Sequence, residues 1–401
     1  MTQYIKLCIL SNDYPSKGRP VYVFVEQLVN ALVDIGVDVS VVAPQSLVRC
    51  LFRGVPVLPK KEKHVTANNH EYVVYRPYSL TFGNGRKWLY DLAQKFNSNR
   101  LSSCLNTIEP TILYAHFWDN AIKLKDFALH NRIPLFVACG EGDNALEELM
   151  STISQKDKNE LVASVRGVIS VSTENKRKCI YYGLAKDENI IVLPNAVDTV
   201  LFHPMAKNLE LRKRLGVRPE DFLILFVGSF IPRKGSGVLA KAIQLVHDEH
   251  IKVIFAGAPM VGDEDSPECD GIVYKGTIPH NMLPAYHAAS DCFVLPTQKE
   301  GCCNAIVEAL SMGVPVISSD GSFNDDILNE NNSIRINPLD IEAIASAIRK
   351  MKDDKSFYQK VQTYLLSQKP NSITNRARSI MDFIRLKNEC VRTLSIRCKF
   401  Q

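Results

Sequence analysis

Short apolar runs recur along the chain, each followed by a turn and then by a stretch of helical spacing. Residues 4–10, 37–43, 111–115, 134–139, 166–171, 190–193, 222–227, 252–256, 272–274, 291–295 and 314–318 read as strands. Most lack in-and-out alternation, which marks strands covered on both faces and paired in parallel. Between them, 24–32, 86–96, 174–182, 236–247, 282–289, 304–312, 343–351 and 372–387 repeat apolar positions every three to four residues and read as helices. The opening strand, helix and strand form a βαβ unit, and the alternation predicts an α/β chain of doubly wound sheets. It pauses at 194–204, PNAVDTVLFHP, whose prolines suit an ordered hinge, and then begins again.

Within this frame 45–87 is expected to be irregular apart from a strand in HEYVVYRPY, with basic clusters at Lys60, Lys61 and Lys63. The helix at 86–96 places Trp88, Leu89, Leu92 and Phe96 on one side. That side is expected to pack into the core, insertion at a bilayer interface being the alternative.

Two turns carry candidate chemistry. After the strand at 291–295 the chain reads PTQKEGCCNAIVEALSMGVP over 296–315, a tight turn at Glu300 and Gly301 followed by a helix. Ligands of open α/β sheets sit beyond the carboxyl ends of strands, and a helix starting there offers free N–H groups and a positive dipole end. A phosphate is the natural guest. Glu300 and Glu308 are eight positions apart, on the order of 10 Å along a helix, the span from hexose to ribose in a nucleotide sugar. Two carboxylates beside a diphosphate make sense only as acceptors of hydroxyl hydrogen bonds, with cations elsewhere meeting the phosphates. The cations stand in the turn after the strand at 222–227: Gly228 permits a sharp exit, and Arg233 and Lys234 precede the helix at 236–247.

Composition narrows the class. With 401 residues, 46% hydrophobic and 23% charged, the chain reads as an ordinary globular protein of two or three domains. A net charge of +5 without basic runs interleaved by aromatics gives no support to nucleic-acid binding. It suits an anionic donor or an anionic membrane surface. No stretch is apolar for long enough to span a bilayer, and the amino terminus, MTQYIKLCILSND, enters a strand without a leader pattern, so a cytoplasmic setting is expected. The eleven cysteines show neither CxxC nor zinc spacing and read as reduced thiols in the core. Cys302 and Cys303 fall in the proposed phosphate turn, within expected reach of thiol reagents. The acidic groups at 263–265 and at Asp325 and Asp326 read as solvated surface, so no metal is implied.

EGxxN(x)3E at Glu300, VGxxxPxKG at Val227 and PNAVDTVLFHP at 194–204 together resemble the retaining glycosyltransferases of family 4. The similarity spans most of the chain and is strongest over about 167–348. It implies the GT-B fold, two Rossmann-like doubly wound domains facing across a cleft. On that pattern 1–195 is the acceptor-side domain, 196–370 the nucleotide-sugar domain, and 371–401 the helices crossing back to the first. The donor, a nucleotide diphosphate sugar, is a substrate, and no separate cofactor or metal is implied. Gly18, Ser229, Arg233, Lys234, Ile278, Glu300, Gly301, Cys302, Cys303, Asn304 and Glu308 fall where the family binds the donor, with Ile278 near the base, Glu300 on sugar hydroxyls and Glu308 on the ribose. Arg233, Lys234 and the N–H groups of 301–304 would stabilise the departing diphosphate, which itself takes the acceptor's proton on the front face.

Three positions depart from the family. Only Gly18 stands in the first loop, where relatives carry a glycine pair, and it serves either the donor or a plain turn. Ser229 replaces an arginine. Gly140 and Glu141 stand where relatives place a histidine, leaving Glu141 or Asp143 to orient the acceptor hydroxyl, while His116 suits a core role. These departures keep open a catalytically silent GT-B subunit, and the fold alone also admits a sugar epimerase or phosphorylase. By analogy with relatives in surface-polysaccharide or glycolipid assembly, the expected acceptor is a glycan or lipid-linked glycan at the cytoplasmic face of a membrane, reached as a peripheral protein.

Overall fold

A computed structural model describes residues 4–19, 21–52, 54–81, 87–142 and 144–397. The chain divides into two compact units. The first comprises Met1–Val171, Asn175–Leu193 and Thr374–Gln401, and the second Ser172–Glu174 and Pro194–Ile373.

The strands of the first unit are β1 (Lys6–Leu10), β2 (Asp38–Val42), β3 (Gln45–Ser46), β4 (Lys61–Val65), β5 (Glu71–Tyr75), β6 (Tyr78–Ser79), β7 (Ile112–His116), β8 (Leu135–Cys139), β9 (Val165–Ser170) and β10 (Ile190–Val192). Eight of them form one sheet in the order β10-β9-β8-β7-β1-β2-β5-β4, parallel except for the β4–β5 pair. The apolar runs of β1, β7 and β8 lie at its centre, where both faces are covered, and are almost wholly buried. β4, KEKHV, alternates exposed and half-buried positions at the sheet edge, where lysines discourage pairing with another chain.

The segment 45–87 is therefore more ordered than its composition suggests. It supplies the β4–β5 hairpin and a separate ribbon of β3 with β6. Its basic cluster at Lys61 and Lys63 lies on a strand. The helix expected at 86–96 extends over Lys87–Ile108, 22 residues. Its buried stripe is Ala93, Leu101, Leu105 and Ile108, one face at spacings of eight, four and three. Trp88 and Leu92 are 55% and 59% exposed, and Leu89 and Phe96 half-buried. The expected core face is thus corrected: the strongest apolar side of the first turns points away from the packing.

The long helix Ile373–Arg397 joins the first unit from Thr374 onward. Arg376 donates to the Leu193 carbonyl, 3.4 Å, and Phe383 packs edge-on against Phe136, ring centroids 6.2 Å apart. Gly167 in β9 makes room for this: a Cβ there would lie 2.8 Å from the Phe383 ring and 3.0 Å from Phe136.

In the second unit β11 (Phe222–Val227), β12 (Ile251–Ala256), β13 (Ile272–Gly276), β14 (Cys292–Leu295), β15 (Val316–Ser319) and β16 (Ser333–Ile336) form a wholly parallel sheet. Its order is β13-β12-β11-β14-β15-β16. The chain winds outward from β11 to β13, crosses back to β14 beside β11, and winds out the other way. The carboxyl ends of β11 and β14 therefore flank the topological switch point, where an open sheet leaves a crevice. The segment 194–204 is held in place, with Val197 donating to the Asn371 carbonyl at 2.9 Å and accepting from Ile373 at 2.8 Å.

Filling the Gly167 notch tests how the last helix docks. Gly167→Ala is expected to cost about 1–3 kcal/mol through overpacking, read as a lower denaturation midpoint, and Phe383→Leu in the same chain should recover part of it. An unchanged midpoint for Gly167→Ala would show that the helix sits elsewhere.

Candidate active site

Two turns meet at the switch point of the second unit because one position between them has no side chain. After β11 the chain passes through the 3-10 turn Pro232–Lys234 to Gly235, whose φ is +75°. A Cβ on Gly235 would lie 2.4 Å from the Pro296 carbonyl oxygen, at the end of β14. With glycine there the turns close on each other. Gln298 donates its N–H to the Arg233 carbonyl (2.8 Å) and its amide to that of Pro232 (3.0 Å), while Arg233 Nη1 donates to the Lys299 carbonyl (2.7 Å).

This clasp brings three charges to one point. Glu300 Oε1 accepts from Lys234 Nζ, from Thr297 Oγ1 at 2.8 Å and, more weakly, from Arg233 Nη1 at 3.4 Å. Glu300 and Lys234 side chains are 12% and 17% exposed, so the contact is shielded from solvent. Burial opposes the charge on Lys234, but the negative charge beside it, with the direct hydrogen bond to the Glu300 carboxylate, outweighs it and holds the ammonium above its ordinary value. Two cations against one carboxylate leave a positive excess.

The helix Asn304–Ser311 begins at the same place, with Cys303 as its cap residue, and its first N–H groups have no acceptor within the helix. The neighbouring helix Ser236–Val246 differs. Asp265 accepts from the Gly237 N–H at 2.8 Å and takes the anion position at its start, so of the two helix ends the one at Asn304 is the better placed to receive a ligand anion. Asp265, expected to be solvated surface, is thus a helix cap. Asp326, expected likewise, accepts from the Thr173 N–H and hydroxyl, both 2.6 Å.

Cys302 and Cys303 are buried, which corrects their expected reach by reagents. Asn195, from 194–204, donates its side-chain amide to the Cys302 carbonyl (2.9 Å) and its N–H to Cys302 Sγ (3.4 Å). Burial pushes the Cys303 thiol up to about 11, against the lowering influence of Lys234.

Glu308 lies about one turn into the same helix, buried, and accepts from His280 Nε2 at 2.8 Å. Burial alone would lower the His280 imidazolium, but the bond to Glu308 and its charge prevail and raise it. The His280 ring packs against Phe202, centroids 5.2 Å apart. Ile278, half-buried in the loop after β13, stands two residues before His280, and Ser229 is half-buried in the turn after β11. Ser229, Arg233, Lys234, Ile278, Glu300, Gly301, Cys302 and Cys303 thus stand on the segments that follow β11, β13 and β14, and Asn304 and Glu308 in the helix after β14.

Gly18 and Glu141 belong to the first unit. Gly18 has φ +78° at the tip of a turn closed by Ser16 and Arg19, with open space around its Cβ position. Glu141 Oε1 accepts the Trp118 N–H at 2.8 Å, at the start of the helix Trp118–Asn131, and its Oε2 is buried with no hydrogen-bond partner among the described residues. Burial raises its carboxyl to about 7, although the Trp118 N–H works the other way. His116 is packed between Phe24 and Phe117 and is lowered to about 3 by burial, so it is neutral. Asp143 lies outside the described residues.

Thr297, His280 and Asn195 escaped the sequence reading. Thr297 is three residues from Glu300, and a hydroxyl just past a strand end was the available signal. His280 and Asn195 reach their partners from 28 and 107 positions away, and one sequence offers no sign of such pairings.

Residues 221–354, which contain both turns, match the family described as Glycosyl transferases group 1. A protein of Bacillus subtilis (strain 168), provisionally named the teichuronic acid biosynthesis glycosyltransferase TuaC, is 25% identical over 367 residues, 88% of this chain and 90% of that protein. The UDP-Gal:alpha-D-GlcNAc-diphosphoundecaprenol alpha-1,3-galactosyltransferase of Escherichia coli is 30% identical over 199 residues, 47% of this chain and about half (51%) of that one. Among solved structures, Anabaena Alr3699/HepE in complex with UDP superposes with a TM-score of 0.71 at 17% identity, over 95% of this chain and 100% of that one. Sucrose-phosphate synthase from Thermosynechococcus elongatus gives 0.68 at 16% identity, over 98% and 100%. The strand-end cluster, the family match across it and fold neighbours along nearly the whole chain agree: residues 221–354 carry a Glycosyl transferases group 1 domain, within a chain of the GT-B fold.

Proposed function

We propose that the cluster at the switch point grips the diphosphate of a nucleotide sugar and that the enzyme transfers the sugar, with retention, to a hydroxyl acceptor. The observation that carries this is the convergence of Arg233, Lys234 and the start of the helix Asn304–Ser311 around Glu300. As the anomeric C–O bond breaks, negative charge grows on the phosphate oxygen. Pre-placed cations and N–H groups stabilise that charge more than the ground state, which is what accelerates the step. The departing phosphate oxygen takes the acceptor's proton while the acceptor oxygen bonds to the anomeric carbon on the same face. Glu300 accepts from sugar hydroxyls, and Glu308, braced by His280, from the ribose. No bound metal enters this scheme.

Related proteins point to the class of substrate. The E. coli protein is named for a diphosphoundecaprenol-linked substrate, and a Mycobacterium tuberculosis relative for GDP-mannose and a phosphatidylinositol mannoside. A hexosyl donor and a glycan or lipid-linked glycan acceptor, used in surface-polysaccharide or glycolipid assembly at the cytoplasmic face of a membrane, are the substrates and setting we assign. In the first unit Glu141, as a carboxyl raised to about 7, suits the orientation of the acceptor hydroxyl once it ionises near neutrality.

Transfer assays with Lys234→Ala and Glu300→Gln are expected to show kcat/KM down about 10²–10³-fold, a loss of roughly 3–4 kcal/mol of transition-state stabilisation. Donor affinity should fall less, and wild-type rates in both variants would remove the mechanism. For Glu141 the native carboxyl is raised, so its contribution to stability is full below the unfolded value of 4.5 and is lost as pH rises through about 7. Glu141→Gln should therefore gain in melting temperature relative to wild type between pH 5 and pH 8. It should also lose the rise in transfer rate through pH 7. A flattened stability profile with an unchanged rate profile would leave Glu141 holding the helix start only.

A further inference from the structure

We propose that the first unit carries a docking surface for an anionic lipid bilayer, formed by the helix Leu47–Phe52, the loop after it and the first turns of the helix Lys87–Ile108. This deepens the membrane setting proposed above and does not depend on the transfer chemistry.

The surface is apolar where packing gives no reason for it. Leu51, Phe52 and Val57 are 78%, 82% and 58% exposed, and Trp88 and Leu92 55% and 59%. Trp88 and Leu92 are four apart, on the side of their helix opposite Ala93 and Leu101, which are buried. The apolar stripe facing outward is therefore separate from the one the core uses. The segments are fastened to one small frame. The helix Leu47–Phe52 leaves β3 directly, and β3 pairs with β6. Gln45 of β3 holds the Leu58 N–H and carbonyl, at 3.0 and 2.9 Å. Just past β6, Leu80 exchanges two hydrogen bonds with Asn97 of the long helix, 2.7 and 2.9 Å.

Charge selects the occupant. Residues 47–100 hold ten lysines and arginines against three acidic residues, a surplus of seven in a chain whose total is only +5. The rest of the protein is slightly acidic, so the basic character is concentrated here. Lys60 and Lys61 lie over the rings of Tyr78 and Tyr75, 5.0 and 5.4 Å from their centroids, and Arg49 stands in the helix that presents Leu51 and Phe52. Exposed bulky side chains on a stretch with this basic surplus match a surface that is greasy inside and negative at its headgroups, where Trp and Tyr settle at the interface. No helix among the described residues is long and apolar enough to cross a membrane, and the surface described would lie on one.

The full-length protein, without donor or acceptor, is sedimented with vesicles of phosphatidylcholine alone and of phosphatidylcholine with about one third phosphatidylglycerol. Binding is expected to the anionic vesicles only and to weaken as salt shortens the reach of the charges. With about 1 kcal/mol per basic residue near such a surface, Lys60→Glu with Lys61→Glu should cut partitioning at least tenfold, and Trp88→Ser with Leu92→Ser similarly. These side chains are exposed, so folding should survive, as circular dichroism would show. Trp118, the other tryptophan, is fully buried, so a blue shift of fluorescence on binding reports Trp88 entering the interface and should vanish in Trp88→Phe. The proposal is overturned if anionic vesicles leave the protein in solution, if binding survives both double substitutions, or if Trp88 emission does not move. It is equally overturned if the protein self-associates without lipid and Trp88→Ser with Leu92→Ser abolishes that, which would give the surface to a second copy.

Discussion

The second unit depends on the closeness of two backbone turns. Strand order alone places the ends of β11 and β14 side by side, but neighbouring strand ends need not touch. What closes them is the absence of a side chain at Gly235, where any Cβ would collide with the Pro296 carbonyl. Once the turns abut, the Gln298 N–H bond to the Arg233 carbonyl and the Arg233 guanidinium bond to the Lys299 carbonyl fix their relative position, and the charged side chains between them have little freedom left. A site assembled this way costs little reorganisation when a ligand arrives, the condition under which electrostatic stabilisation is most effective.

Opposite charges share the crevice. A carboxylate near a diphosphate is repulsive unless cations stand between them, and here Glu300 is the point on which Lys234 and Arg233 meet. Shielding strengthens each of these interactions. Burying the thiols has a second effect, because a neutral Cys303 at the start of the helix Asn304–Ser311 leaves the dipole end without a built-in anion. The adjacent helix, capped by Asp265, shows what that end looks like when the protein supplies its own.

Much of this is legible in the sequence. The runs FLILFV and CFVL are continuous, apolar and followed by glycine-bearing turns, so the α/β class and the two strand–turn–helix units around Arg233 and Glu300 follow from local pattern. Other features depend on what a segment meets after folding. The short strand Ser333–Ile336 is half polar, and residues 45–87 look irregular because their strands are brief and basic. Trp88 and Leu92 obey the helical period as well as any core residues do. Only the docking of Ala93, Leu101 and Leu105 instead reveals which side faces out. Asp265 and Asp326 look like surface acids until their partners, 28 and 153 positions away, are in place.

The central claim is that Lys234 and its neighbours recognise the terminal phosphate of a nucleoside diphosphate. Calorimetric titration of the wild type and Lys234→Met with UDP and UMP, and with GDP and GMP, isolates that phosphate as the difference between each pair. A clear preference for one diphosphate over its monophosphate is expected in the wild type, with near-complete loss in Lys234→Met. A preference of undiminished size in the variant would contradict it.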